Sequence, residues 1–197
     1  MNKNRCKWCN LKNPLYIEYH DNEWGVLRLD DAYLYEMLLL EAYQAGLSWE
    51  CVLNKREGFR RAYDGFDIER VALYGEEKIE ALLSDSGIIR NRRKVLSSIN
   101  NSKIFKEIVA EYGSFASYLK RFWDGNVIYE TGCVTSTLSD RISEDLRGRG
   151  MRFVGSVIIY SFLQAVGIIY SHDEQCFMYK TKKITRICQL LFTKNKL

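Results

Sequence analysis

The chain of 197 residues contains two histidines, His20 in "YIEYHDNEWG" and His172 in "HDEQC". They stand near opposite ends, and cysteines lie close to both: Cys6 and Cys9 in "CKWC", and Cys176 four residues after His172. Thiolate sulfur and imidazole nitrogen at such spacings are the donors that hold zinc, and two residues four apart share one face of a helical turn. Spacing alone proposes Cys6, Cys9, His172 and Cys176, a ribbon-like set joining the two ends. Cys51, Cys133 and Cys188 have no metal spacing and read as ordinary thiols.

A second chemistry is anion binding. "LRGRGMRFVGSVII" (146–159) reads as a short hairpin bearing Gly150 and Gly155, with a helix opening directly after it. Free backbone N–H groups at a helix start, together with the helix dipole, attract phosphate, and Arg147, Arg149 and Arg152 add charge around them. An ordinary glycine-bearing turn fits the spacing equally well. The net charge of +4 is unevenly spread. The tail "KTKKITRICQLLFTKNKL" (180–197) takes six of the 29 bases and none of the 25 acids, leaving 23 against 25 in the body. The block "SGIIRNRRKVLSSINNSKIFK" (86–106) also has six bases and no acid. A locally basic, globally neutral body suits a polyanion footprint, although charge alone favours the plainer reading of a solvated helix face.

Helices must position these groups. "DDAYLYEMLLLEAYQA" (30–45) opens on acidic cap candidates and has helical apolar spacing. Ser48 can cap a helix through "WECVLNKREGFRRAY", and "EEKIEALLSD" reads as a helix stopped by Gly87. "NRRKVLSSINNSKIFKEIVAEY" is a long amphipathic helix, with "SFASYLKRFWD" following Gly113. "TLSDRISEDLRGRG" starts on a Thr137-x-x-Asp140 capping pattern. "SVIIYSFLQAVG", almost wholly apolar, must be central, and only "NVIYE" (126–130) looks extended. The class is all-α.

At 47% apolar residues the chain can bury one ordinary core. Its 13 Tyr, 9 Phe and 4 Trp leave aromatics to spare for stacking surfaces. The apolar run "VGSVIIYSFLQAVGII" is too short for a membrane span, and "MNKNRCKWCN" lacks the apolar core of a signal peptide. The expectation is a cytoplasmic protein whose cysteines are reduced thiols or metal ligands, with no membrane partner.

Four stretches taken together, "PLYIEYHDNEWG", "LLLEAYQAGLSW", "SGIIRNRRK" and "RGMRFVGSVIIYSFLQAVG", resemble the bacterial DNA-3-methyladenine glycosylase I family of the helix-hairpin-helix superfamily. "YHDNEWG" combined with "QAGLSW" carries most of the specificity, and the resemblance covers about residues 4–179. It implies an all-α helix-hairpin-helix glycosylase domain over 1–179, whole or as two small lobes, followed by the basic tail 180–197. It implies base-excision repair: a monofunctional glycosylase that flips 3-methyladenine out of alkylated double-stranded DNA and hydrolyses its bond to deoxyribose.

Carried onto this sequence, the resemblance makes Trp49 the stacking face for a cationic purine, Glu41 the carboxylate that reads its edge and Tyr19 a contact to the base, with Tyr16 one turn earlier. Glu41 sits in an apolar stretch, where pattern alone would read an exposed edge-of-stripe residue. The hairpin residues Gly150, Arg152 and Gly155, with Arg90, Arg92 and Arg93 of "SGIIRNRRK", become the DNA grip. The family's structural zinc maps onto Cys6, His20, His172 and Cys176, with Cys9 the competitor for His20. Asp173 lies roughly where other superfamily members carry a catalytic aspartate, but inside the HxxxC element it receives no catalytic role. No lysine is placed as a Schiff-base nucleophile, so strand cleavage is not expected, and the chain is expected to act as a monomer. Rival readings are a glycosylase for another alkylated purine, a metal-stapled DNA-binding module without catalysis, and a structural metalloprotein with no DNA role.

Overall fold

A computed structural model of the chain describes residues 3–181; most of the basic tail (182–197) lies outside the described residues. Among the described residues the fold has ten α-helices: α1 Pro14–Asn22, α2 Asp31–Gln44, α3 Trp49–Leu53, α4 Arg56–Ala62, α5 Ile68–Val71, α6 Glu76–Ser84, α7 Arg92–Tyr112, α8 Phe115–Leu119, α9 Thr137–Gly148 and α10 Ser156–Ala165. No helix among the described residues is long and apolar enough to cross a membrane.

Local chemistry sets most boundaries. Asn13 caps α1, whose first residue is Pro14, and Asp30 caps α2 by accepting from the Tyr33 amide at 2.9 Å. Asn91 caps α7, and Gly113, at φ +82°, ends it in the left-handed conformation that glycine adopts freely. The expected helix over 49–63 is two, broken at Asn54–Lys55. There Arg56 turns inward to pair with Glu23 and Glu36, both 20 or more residues earlier in the chain. Helix α9 is capped by Ser136, one residue before the expected Thr137, and Ser139 returns the capping bond. Helix α6 stops at Asp85 rather than at Gly87, and Asp85 accepts from the Gly87 amide at 2.7 Å.

The all-α reading needs one amendment. Ile128–Tyr129, inside the segment expected to be extended, pairs in parallel with Ile169–Tyr170, giving two short strands, β1 and β2. Helix α10 is central, as its apolar sequence requires, and packs on α2 and α9. At its C-terminal end the chain meets the N-terminal segment: Gly25 donates to Gln164 O and Arg28 to Val166 O, each at 3.1 Å. A Cβ at Gly167 would lie 2.3 Å from Leu27 N, so this crossing admits only glycine. Residues 25–28 and 164–172 are therefore locked side by side, which delivers His172 to the N-terminal end.

Candidate metal and base-binding sites

The four residues Cys6, His20, His172 and Cys176 are all buried, and their ligand atoms lie within 4.8 Å of one another. Cys176 Sγ is 3.5 Å from His20 Nε2 and 3.6 Å from His172 Nδ1, while Cys6 Sγ is 3.4 Å from His172 Nδ1. Backbone amides point at both sulfurs: Asp173 N–H at Cys6 and Met178 N–H at Cys176, at 3.3 and 3.4 Å. His20 is oriented from behind, its Nδ1 lying 2.8 Å from Asp21, which Arg5 grips with two hydrogen bonds. Cys9 stands apart, its thiol donating to the Tyr16 carbonyl at 3.7 Å.

Burial lowers the His172 pKa to about 4 and also lowers that of His20, so both rings are neutral with a lone pair to offer. The same burial pushes the Cys6 thiol well up. A divalent cation at the centre reverses that penalty, because it binds thiolate rather than thiol. Four inward N and S donors with no open position fit a closed tetrahedral metal site.

A second cavity of about 380 Å³ lies on the other side of the same segments. Tyr16, Tyr19, Glu41 and Trp49 all line it, so the four sequence-derived pocket residues share one wall system. Glu41 and Gln44 come from the last turns of α2, three residues apart and so on one face. The end of α2 is fixed by Lys94 of α7, whose Nζ donates to the Tyr43 and Ala45 carbonyls at 2.8 and 2.7 Å. This basic-block residue is thus structural. Gly46, at φ +76°, then turns the chain so that Ser48 caps α3 and Trp49 begins it. The Trp49 ring lies 5.2 Å from that of Tyr19, centroid to centroid.

The electrostatics of this cavity are unusual. Glu41 is 3% exposed, and its Oε2 has no hydrogen-bond partner; neither has the Trp49 Nε1 donor nor the Gln44 Oε1 acceptor. Burial alone pushes the Glu41 carboxyl up to about 8. Buried polar groups are almost always paired, so three orphans facing one cavity mark a place built for something polar. Trp8, Trp24, Ser161 and Gln164 also line it, and sequence reasoning missed them. The available signal was that Trp8 and Trp24 lie inside the two N-terminal motifs, "CKWC" and "HDNEWG". Asp173 reaches the cavity edge, and its carboxylate accepts from the Lys7 amide at 2.8 Å.

The expected DNA-gripping residues divide. Helices α9 and α10 flank the hairpin 149–155, in which Gly150 has φ +96° and Gly155 precedes α10 with no side-chain cap, leaving the first-turn amides free. Arg93 of α7 shares a groove with Arg152 and Gly155 of the hairpin. Arg92 is not in that lining; its guanidinium pairs with Glu76 and Glu80. Arg90 is exposed just before α7 and lines neither cavity.

Comparison with known proteins agrees with this geometry. The family described as methyladenine glycosylase matches residues 8–179. The chain is 41% identical over 186 residues to DNA-3-methyladenine glycosylase 1 of Escherichia coli, covering 91% of this chain and 98% of the relative. Its fold is similar to a crystal structure of 3-methyladenine DNA glycosylase I, with a TM-score of 0.85, 40% identity, and coverage of 90% of this chain and 100% of the other. It is also similar to a variant of 3-methyladenine DNA glycosylase I solved in complex with 3-methyladenine, with a TM-score of 0.84, 29% identity, and coverage of 90% and 98%. On the extent of these matches, this chain belongs to the methyladenine glycosylase family.

Proposed function

We infer that the chain is a DNA-3-methyladenine glycosylase, which hydrolyses the bond between deoxyribose and 3-methyladenine in alkylated double-stranded DNA as the first step of base-excision repair. The observation that carries this reading is the pair of orphaned groups, Glu41 Oε2 and Trp49 Nε1, facing one aromatic-walled cavity. The family match supports the same activity.

The chemistry follows from the leaving group. Methylation at N3 makes the purine cationic, so it departs neutral and its glycosidic bond is already weakened. Little acid catalysis is needed; the site must extract the base, hold it and tolerate developing positive charge on the sugar. Trp49 and Tyr19 supply aromatic faces that attract a cation. Burial favours the protonated form of Glu41, and a cationic base offsets that penalty and favours the ionised form, so charge develops with the right ligand. A neutral purine brings no such compensation, which favours the alkylated base. Asp173 remains outside the chemistry, bracing the N-terminal segment through Lys7. Among the described residues the cavity lining holds no lysine, which supports hydrolysis without strand cleavage.

We assign zinc to the Cys6, His20, His172 and Cys176 cluster, where it supplies no chemistry to the reaction and ties the two ends together. The hairpin 149–155 acts as the helix-hairpin-helix grip on backbone phosphate. One chain completes both sites, which supports a monomer, and a DNA substrate supports a cytoplasmic location. The direct test is incubation with methylated DNA, with released bases separated by chromatography. Release of 3-methyladenine with intact strands is expected; release of other purines only, or strand scission without a basic catalyst, overturns the reading.

A further inference from the structure

The hairpin is tied to α7 by two adjacent asparagines, of which Asn101 makes the paired contact. Asn101, 8% exposed, donates from Nδ2 to the Arg152 carbonyl at 2.8 Å and accepts at Oδ1 from the Arg152 amide at 2.9 Å. Both backbone groups of one residue, 51 positions away, are thereby satisfied by one carboxamide. Asn100 adds a bond from Nδ2 to the Gly150 carbonyl at 2.9 Å. The loop needs such bracing. Besides Gly150 it passes through the left-handed region at Phe153, φ +56°, a conformation that a bulky residue keeps only where its surroundings over-determine it.

The brace lies beside a cluster of positive charge. Arg93, Arg147 and Arg152 are all exposed and line one groove of about 640 Å³ between α7 and the hairpin. Among the described residues none of the three has an ion-pair partner. Their neighbours are committed elsewhere: Arg92 to Glu76 and Glu80, Arg149 to Glu111 and Asp145. Three unpaired guanidinium groups round a groove beside uncapped helix amides suit a phosphodiester.

We propose that Asn101 is a positioning residue for DNA: by clamping the Arg152 backbone it holds Arg152 opposite Arg93 and Arg147, so that the groove closes on a backbone phosphate. This rests on the reading of the hairpin as the DNA grip. Asn101 touches neither the base cavity nor the metal cluster.

The test is a double-mutant cycle of Asn101→Ala and Arg152→Gln in the full-length zinc-loaded protein. Binding to undamaged duplex DNA is measured across salt concentrations, with affinity for free 3-methyladenine measured alongside. Arg152→Gln should lower the slope of log affinity against log salt by about one phosphate, ~0.9. Asn101→Ala should lower it similarly and weaken DNA binding about tenfold, with free-base affinity within about twofold of wild type. In the Arg152→Gln background, Asn101→Ala should add less than about twofold. Asn101→Asp keeps the side-chain volume and the acceptor for the Arg152 amide while opposing its carbonyl; it should also lower the slope, and it serves if the alanine variant fails to fold. Asn101 variants with an unchanged slope, or with DNA and free-base affinity falling together, overturn the proposal while leaving the grip itself in place. An unchanged slope in Arg152→Gln removes the grip, and the proposal with it.

Discussion

The ring of Trp24, which lines the base cavity, packs edge-on against the ring of His172, a member of the metal cluster, with centroids 4.7 Å apart. A second link runs along α1, where Tyr19 enters the cavity and its neighbour His20 enters the cluster. The metal site and the base site therefore share a wall, although their chemistries are separate.

That shared wall makes metal loss visible in base binding. About one zinc per chain is expected, and Cys6→Ser, His20→Ala, His172→Ala and Cys176→Ser should each lose it on metal analysis. Cys9→Ser should keep it, because that thiol is engaged with the Tyr16 carbonyl. Chelation should lower the thermal midpoint by roughly 10 °C or more and weaken free-base affinity in parallel. Metal retained in His20→Ala but lost in Cys9→Ser contradicts the assignment.

Trp49→Ala removes a stacking face worth about 1–3 kcal/mol. Calorimetric affinity for free 3-methyladenine should fall about 5- to 150-fold. Binding to undamaged duplex, made through the hairpin, should stay within about twofold. An equal loss in both assays would show that Trp49 supports the fold rather than the base.

How much of this was legible in the sequence depended on how local each cause is. Helices α2 and α7 could be bounded because Asp30, Asn91 and Gly113 act on their own neighbours. The break at Asn54–Lys55 could not, because it follows from Arg56 meeting Glu23 and Glu36 across the fold. Strands of two residues leave no periodic trace, so Ile169–Tyr170 read as the end of an apolar run. In the base site, Glu41 has the sequence pattern of an edge residue; the resemblance singled it out, and tertiary packing buries it. Unaided spacing favoured Cys9 over His20; the resemblance chose His20, and the crossing of residues 25–28 with the end of α10 brings those four donors together.

The basic block behaves as individual residues rather than as a patch. Arg93→Gln should weaken duplex binding and reduce its salt slope by about 0.9, while Arg92→Gln, whose charge Glu76 and Glu80 already offset, should change neither by much. Fluorescence anisotropy titrations at several salt concentrations check this. Equal effects from the two substitutions would return the block to a diffuse cationic surface.

Glu41 should trade stability for function. Its folded-state pKa of about 8 lies above the ordinary value of 4.5, so between those values the native state keeps a proton that the unfolded chain has lost. Its contribution to stability is full below about pH 4.5, declines as pH rises across that window, and is gone above about pH 8. Glu41→Gln lacks this loss. The thermal midpoint of the variant, measured relative to the ligand-free wild type, should therefore climb steadily from pH 5 to pH 8. A constant difference across that range would mean that Glu41 is ionised in the empty cavity.

The sharpest measurement is the rate of 3-methyladenine release from methylated duplex DNA by Glu41→Gln and Asp173→Asn, each confirmed to be folded and metal-loaded. Glu41 faces the cavity with an unpaired oxygen, whereas Asp173 is occupied with the Lys7 amide. Glu41→Gln should lose about 100-fold or more of its single-turnover rate while still binding undamaged DNA, and Asp173→Asn should stay within about tenfold of wild type. Asp173→Asn without base release beside an active Glu41→Gln would put the reacting centre at the other carboxylate and contradict this account.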